Sequence, residues 1–407
     1  MTESPRSAGP DELRGASPDL VRRARDERDP LPGTGGFAGS LDASLVRDVL
    51  GRELVYREGG DDPVDSWAFD PDELRDPELL PAGCVRPHTV DADPTDRDER
   101  DWSVPDRDDR VWTLPEPDPE TDNTRAVRAV REAVRESVDE VATAGVESGE
   151  DGGLAVAFSG GVDSAAVAAR LDAPLYVAGF PESHDVEAAR SAAAAMGRDL
   201  REVELTHADI ERAVPEVVRA TGRTNAMDVS IALSLYLVAE RVAADGYDRL
   251  AVGQGADELF GGYAKVANAP DDERVDAETV RGARREVVAT LPDQLERDLR
   301  TLRGAGVEPV APLLHDRVVA AALALPGPLL VAEGGERKVA FRRAVAEWVP
   351  DAVASRDKKA VQYGSLVSRE LDRLARQAGF KRRMDDHVGK YVESLVGDGE
   401  TTPPGGV

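Results

Sequence analysis

Two glycine-rich strings carry the residue types best suited to chemistry in this sequence. The first, Phe158-Ser159-Gly160-Gly161-Val162-Asp163-Ser164, lies between an apolar run, Leu154 to Phe158, and a helical pattern that begins at Ser164. Glycines between a strand and a helix let consecutive backbone N–H groups turn toward one point. The partial positive charge of the helix start adds to them, so the loop is a cradle for an anion. A carboxylate cannot meet phosphate there without a cation, which makes Asp163 a natural partner for Mg2+. A phosphate loop built on Gly-Lys-Ser/Thr is excluded, because no lysine precedes Lys265. The second string, Gly253-Gln254-Gly255-Ala256-Asp257-Glu258-Leu259-Phe260-Gly261-Gly262-Tyr263, follows another apolar run. Its glycines allow close backbone approach, and its adjacent carboxylates allow metal binding. Alone, the first string also reads as an ordinary turn capped by Ser or Asp, and the second as a loop with a solvated acidic pair. At the carboxyl ends of parallel strands, where open α/β sheets bind ligands, the two together read as a site.

The elements that must position these loops alternate along the chain. Apolar residues recur at helical spacing over Thr124 to Ala144 (Val127, Val130, Val134, Val138, Val141), followed by the strand Leu154 to Phe158. Then come a helix from Ser164, a strand Leu175 to Ala178, a helix Asp185 to Met196, a strand Leu200 to Leu205, a helix Asp228 to Ala244 and a strand Leu250 to Gly253. Strands separated by helices imply right-handed crossovers and a parallel sheet. Beyond Tyr263 the pattern is mostly helical: Val280 to Thr290, Arg317 to Leu325, Lys338 to Trp348 and Leu366 to Gln377. Short apolar clusters between Phe37 and Val85 predict a small strand-rich module. Residues 1–35, rich in Pro, Gly, Asp and Arg without periodicity, predict a disordered lead-in. Asp91 to Asp122, anchored by Trp102 and Trp112, predicts a linker.

The pairing of SGGVDS with GQGADELFGGY resembles the synthetase domain of the asparagine synthetase family, within the ATP pyrophosphatase superfamily; the second string is close to that family's GEGSDELFGGY. Other stretches are similar in the same order: Gly179 to Asp185, Pro309 to Val318, Lys338-x-x-x-Arg342, Arg356-x-Lys358 and Gln362-Tyr363-Gly364. The resemblance covers about 125 to 375. It implies an α/β fold, a parallel doubly wound sheet of the ATP pyrophosphatase type over 123–380, followed by a helical C-terminal region with a tail at 381–407. The implied cofactors are ATP and Mg2+. The implied chemistry is adenylation of a carboxylate, most simply the side chain of aspartate, and displacement of AMP by ammonia to give an amide. By position in the motifs, Ser159, Gly160, Gly161 and Ser164 would hold pyrophosphate, with Mg2+ between Asp163 and Asp257. Phe158, Ala178, Val252 and Gly253 would line the nucleotide. Lys358 would neutralise charge on the α phosphate, the Arg-x-Lys spacing favouring it over Lys359. Gln254 stands where the family has a glutamate that works with that lysine, and His315 where the family has an aspartate. These departures leave open a different acyl substrate, or a nucleotide-binding relative without turnover.

Arg47-Asp48-x-Leu50-Gly51-Arg52-Glu53-Leu54-Val55-Tyr56, Trp67-Ala68-Phe69 and Pro81-Ala82-Gly83 are similar to the second half of the family's glutaminase domain, here a truncated module at 36–90. That glutaminase uses a cysteine at position two, where this chain has Thr2; its one cysteine is Cys84. The resemblance therefore implies free ammonia, or a separate glutaminase, as the nitrogen source.

Composition narrows the rest. The 407 residues include 79 acidic and 51 basic side chains, a formal charge of −28 that repels phosphate backbones and anionic lipid. Nucleic-acid and membrane partners are thus not expected. A tRNA-modifying role is disfavoured further by the lack of a basic or zinc-bearing RNA-binding module. One cysteine permits neither an internal disulfide nor a cysteine-rich zinc site. The polar start lacks the apolar core of a secretory signal, and Val318 to Ala332 is too short and too Pro-broken for a membrane span, so the expected compartment is the cytoplasm. An Asp-rich, Lys-poor surface resembles that of proteins adapted to high salt, which screens their self-repulsion.

Overall fold

The computed structural model describes residues 11–59, 66–87, 108–147, 153–181, 183–269, 271–356 and 365–397. They fall into two compact units that interleave along the chain, departing from a simple N-to-C partition. The first comprises Met1–Ala126, Gly261–Glu296 and Leu314–Gly335, and the second Val127–Phe260, Arg297–Leu313 and Glu336–Val407.

The first unit holds the strand-rich module. Strands β1 (Glu12–Arg14), β2 (Ala38–Leu41), β3 (Ser44–Arg47), β7 (Cys84–Pro87) and β8 (Asp109–Arg110) form one antiparallel sheet in the order β1-β2-β3-β7-β8. Strands β4 (Tyr56–Glu58), β5 (Trp67–Ala68) and β6 (Pro77–Leu79) form a second, ordered β5-β4-β6. Ala38, Leu45, Val55, Trp67, Phe69, Leu80 and Cys84 make a common core. The Arg47 side chain is buried and donates to three backbone carbonyls, Glu53 O and Leu80 O at 2.8 Å and Gly51 O at 2.9 Å. Arg52, also buried, pairs with Asp48 and with Asp316, each at 2.8 Å. The family-like string 47–56 thus contributes structure to this module.

The expectation of a disordered lead-in is corrected for residues 11–35. Besides β1, they carry helix α1 (Pro18–Glu27), with Pro at its first turn and Arg28 in the left-handed conformation closing its end. Val21 and Ala24, three apart on one face, are buried, and Trp112 Nε1 donates to Ala24 O at 3.2 Å. Trp112 also packs edge-to-face on Phe37 with centroids 5.4 Å apart. Local composition is overridden here by partners distant in sequence. Trp102 and Thr2 lie outside the described residues.

The second unit is built on a parallel sheet of β9 (Gly153–Ala157), β10 (Leu175–Gly179), β11 (Leu200–Glu204), β12 (Tyr247–Ala251) and β13 (Glu308–Val310), ordered β11-β10-β9-β12-β13. Helix α2 (Asn123–Glu147) precedes it, with Val127, Val130, Val134 and Val138 buried. The crossovers are α3 (Val162–Ala168), α4 (His184–Ala195), and the pair α5 (His207–Thr221) and α6 (Ala226–Ala244). Alternate strand residues Ala155, Ala157, Tyr176, Leu250 and Val252 share one core with Val238, Ala239 and Val242 of α6. The intervening Val156, Leu175, Val177 and Ala251 are buried as well, so both faces of the sheet are covered, as a doubly wound sheet requires.

Helix α5 answers to no predicted element. It carries Pro215 inside but is closed by a Thr206/Asp209 capping box at one end and Gly222 at the other. The C-terminal region is helical, as expected, and the predicted tail contains a helix, His387–Val396. Its Tyr391 and Val392 join Ser365–Gln377, α5 and α6 in a second core, which fixes that segment. No helix among the described residues is long and apolar enough to cross a membrane.

Candidate active site

Strand order decides where the two glycine strings meet. From β9 the chain moves outward to β10 and β11 and then returns to place β12 on the other flank of β9, so the strand order reverses between β9 and β12. These strands pair in parallel with Ala155 opposite Leu250 and Val156 opposite Ala251. The loops that follow them therefore emerge side by side at the carboxyl edge, at the topological switch point where such sheets bind ligands.

Glycines set how closely the loops approach. Gly160 has φ +73°, and a Cβ there would lie 2.6 Å from Ala188 O. Gly253 is tighter in function: its added Cβ would lie 2.8 Å from Ser164 N and 3.1 Å from Asp163 Cβ. Only a residue without a side chain lets the second loop press on the backbone of the first. Phe158 and Val252 are buried under the loops, and Ala178 is half-buried at the end of β10. Ser159 Oγ and Ser164 Oγ are 3.3 Å apart, and Ser164 Oγ donates to Gly161 O at 3.2 Å.

The carboxylates converge as expected, but on a side chain. Lys338 Nζ lies 2.7 and 2.6 Å from the two oxygens of Asp163 and 2.6 Å from Asp257 Oδ1. Lys338 is 3% exposed and sits in the left-handed conformation (φ 60°) just before the helix Val339–Val345. Burial alone would lower its pKa, yet the flanking carboxylates raise it above the ordinary lysine value, so the group is an ammonium. Two carboxylates within reach of one cationic centre are also the protein share of a Mg2+ site, since that ion is commonly held by one or two carboxylates plus phosphate oxygens. The donor set fits. No cluster of three or more His, Cys, Asp or Glu suited to a metal occurs among the described residues, so phosphate and water would complete the shell.

Sequence reasoning gave Lys338 no role. Two signals pointed to it: it is one of six lysines in the chain, and it opens the Lys338-x-x-x-Arg342 string. Arg342 braces this corner, with Nε donating to Arg337 O at 3.0 Å and Nη1 donating to Ala354 O and, at 3.1 Å, to Arg356 O. Arg356 Nη1 in turn donates to Ala188 O at 2.9 Å, the carbonyl that crowds Gly160. Lys358, with Lys359 and Gln362 to Gly364, lies outside the described residues.

Behind the second loop runs a chain of charges. Gln254 Nε2 donates to Asp298 Oδ2 at 2.6 Å, and Arg297 Nε donates to Asp298 Oδ1 at 2.7 Å. Arg297 Nη1 reaches Asp228 Oδ1 at 2.8 Å, and Asp228 Oδ2 also accepts from Asn225 at 2.8 Å and Arg223 at 3.1 Å. Asp298 is buried, and burial pushes its carboxyl up against the opposing pull of Arg297. His315 is buried in the first unit, where its Nδ1 accepts from Arg317 N at 3.2 Å as the cap of the helix Asp316–Leu323.

Comparison with known proteins shows what the chain is similar to. The family model for asparagine synthase matches residues 129–286 and 268–393. The chain is 28% identical over 281 residues to a Methanocaldococcus jannaschii protein named as a candidate glutamine-hydrolysing asparagine synthetase, covering 60% of this chain and 52% of that one. It is 25% identical over 258 residues to the glutamine-hydrolysing asparagine synthetase B of Escherichia coli, covering 58% and 45%. The chain spans about half the length of these relatives. Among solved structures, an NH3-dependent NAD synthetase from Campylobacter jejuni aligns with 68% of this chain and 94% of its own, at 12% identity and a TM-score of 0.28.

Proposed function

We propose that this chain, which belongs to the asparagine synthase family, is an amide-forming ligase that activates a carboxylic acid, most simply aspartate, with Mg-ATP and passes the acyl group to ammonia. The observation that carries the reading is the convergence of Asp163, Asp257 and Lys338 where the Ser159–Ser164 and Gly253–Asp257 loops emerge side by side.

In the first step a carboxylate oxygen attacks the α phosphorus and pyrophosphate leaves. Backbone N–H groups of the first loop, with the Ser159 and Ser164 hydroxyls, would bind the leaving group where its charge grows. Mg2+, when bound, supplies further neutralisation of phosphate charge, and Asp163 and Asp257 would hold it. Lys338 sits between those carboxylates in this structure; it would yield that place to the ion and set its ammonium against phosphate oxygens. Phe158, Ala178, Val252 and Gly253 would line the nucleotide, and Lys358 would meet charge on the α phosphate. In the second step ammonia adds to the acyl carbon, AMP leaves, and the surplus proton passes to solvent.

Free ammonia, or ammonia from a separate glutaminase, is the proposed nitrogen source. Cys84 supports this: it lies in the core of the strand-rich module, where burial pushes its thiol up, away from the reactive thiolate. A different acyl substrate is the second reading, favoured by the Gln254–Asp298 pair at a position where the family carries glutamate.

The test is AMP and pyrophosphate release across a panel of carboxylic acids in high salt, with ammonium or glutamine as donor. Equimolar AMP, pyrophosphate and amide with aspartate and ammonium is the expected result. Release with another acid alone selects the second reading, and no release with any acid overturns both.

A further inference from the structure

The first glycine loop is held at both ends by one stretch of chain from far along the sequence. Its later residue, Asp163, meets Lys338 Nζ at 2.7 and 2.6 Å. Its earlier glycine, Gly160, abuts Ala188 of α4: a Cβ there would stand 2.6 Å from the Ala188 carbonyl oxygen and 2.7 Å from Ala189 Cα. That oxygen accepts from Arg356 Nη1 at 2.9 Å, and Arg356 Nη2 donates to Ser191 Oγ on the same helix at 3.1 Å. Arg342 joins the two contacts. Its backbone N–H donates to Lys338 O at 2.9 Å and its Nη1 to Arg356 O at 3.1 Å. The contacts close a ring, from Asp163 through Lys338, Arg342, Arg356 and Ala188 to Gly160, that begins and ends on the loop.

The same stretch grips the two helices that flank the loop. Trp348 Nε1 donates to Ala166 O in α3 at 3.2 Å. The helix Asp351–Ala354, with Val353 and Ala354 buried, packs on both α3 and α4. Gly160 is in the left-handed conformation (φ +73°) and has no side chain of its own to anchor it, so its place is set by the carbonyl it abuts. The N–H groups of the loop and of the start of α3 converge on one anion only while that spacing to α4 is kept. A guanidinium suits the task, because it is always charged and its planar fork reaches a carbonyl and a hydroxyl of one helix at once.

From this ring we infer that Arg356 is a positioning residue for the leaving group. It fixes Ala188 against Gly160, so that the N–H groups of the loop are already turned toward pyrophosphate when its bond to the α phosphorus breaks, and no reorganisation is needed at that moment. Arg356 acts through Ala188 rather than by contact with the substrate. The inference rests on the ligase reading above, in which the first loop holds pyrophosphate.

The experiment uses the full-length chain in constant high salt and reads magnesium pyrophosphate twice: its Kd by calorimetry without catalysis, and its KM in ATP–pyrophosphate exchange with an acid the parent accepts. Arg356→Met keeps the length of the stem and removes both donors. It is expected to raise both constants about 10-fold, the scale of one charge-assisted hydrogen bond, while the KM of the acid stays within about twofold. Arg356→Lys keeps a single donor and is expected to fall between Arg356→Met and the parent, a partial rescue that general loosening of the fold would not give. Should Arg356→Met fail to fold, Arg356→Lys and Ser191→Ala decide, each with an expected rise of about threefold in the pyrophosphate constants. Parent-like pyrophosphate constants in the folded variants, or an equal rise in the KM of the acid, overturn the inference. A parent that binds pyrophosphate but shows no exchange with any acid overturns the ligase reading, and the calorimetric arm then decides this inference by itself. A parent that binds no pyrophosphate overturns both.

Discussion

Replacing Lys338 by Met tests whether its ammonium is what allows Asp163 and Asp257 to sit together. Methionine keeps the length and apolar stem of the side chain, so packing changes little and charge is the main variable. The ammonium is 4% exposed as a side chain, while Asp163 and Asp257 are 18% and 21% exposed. Breaking a buried ion pair by removing one partner costs about 3–5 kcal/mol. Here water reaches the carboxylates, which places the loss at the low end, about 3 kcal/mol. For a unit of this size, with about 2–4 °C per kcal/mol, the melting temperature should fall by about 6–12 °C. Mg2+ should then restore stability in the variant, by about 2.7 kcal/mol at a concentration 100 times its Kd, and do much less in the parent, where Lys338 already fills the place. Thermal unfolding of both proteins across a Mg2+ series, in constant high salt, reads all three quantities. A variant that melts within about 2 °C of the parent without Mg2+ would show that the two carboxylates do not depend on Lys338.

Asp163→Asn or Asp257→Asn should reduce pyrophosphate release at least about 100-fold by weakening the phosphate end of the site; near-normal turnover in a folded variant would remove the metal assignment. Gly253→Ala should cost about 1–3 kcal/mol and raise the KM for ATP, because the new methyl group meets the Ser164 N–H at 2.8 Å; an unchanged urea midpoint and KM would refute the close approach. Burial alone would raise the pKa of Asp228, but Asn225, Arg297 and Arg223 bring it below the ordinary carboxylate value. Its contribution is thus complete above about pH 4 and is lost as pH falls through the lower folded value, so the stability gap between parent and Asp228→Asn should be about 1–2 kcal/mol at neutral pH and shrink below about pH 4. A gap that does not change with pH in urea unfolding would contradict that sign.

Legibility from sequence followed the range of the interaction. The strands and the two loops were readable because apolar runs, glycines and helix starts are local signals, and strand alternation fixed the parallel sheet. Lys338 was not, since it reaches Asp163 from 175 positions away, and a left-handed residue before a short helix leaves no periodic mark. The Asp298–Gln254 bond spans 44 positions and joins a loop to the helix Leu291–Gly304, which no predicted element covered. Helix α1 was hidden differently: its composition is that of a solvated chain, and Trp112, which donates to Ala24 O, stands 88 positions on. Of the predicted catalytic residues, Gln254 and Asp257 are at the carboxyl edge of the sheet, and Lys358 falls outside the described residues.

The ammonium held between Asp163 and Asp257 bears on ion competition. A chain with a formal charge of −28 gathers dissolved cations around itself, and an open pair of carboxylates would be among the first places for sodium or potassium to settle. A tethered lysine competes with free monovalent ions for that place at no cost in association entropy. An incoming ion would have to bring more than its own charge to exchange with it, as the metal–polyphosphate complex of the proposed reaction would. On the proposed function, the same lysine would discriminate between the abundant ions and that complex.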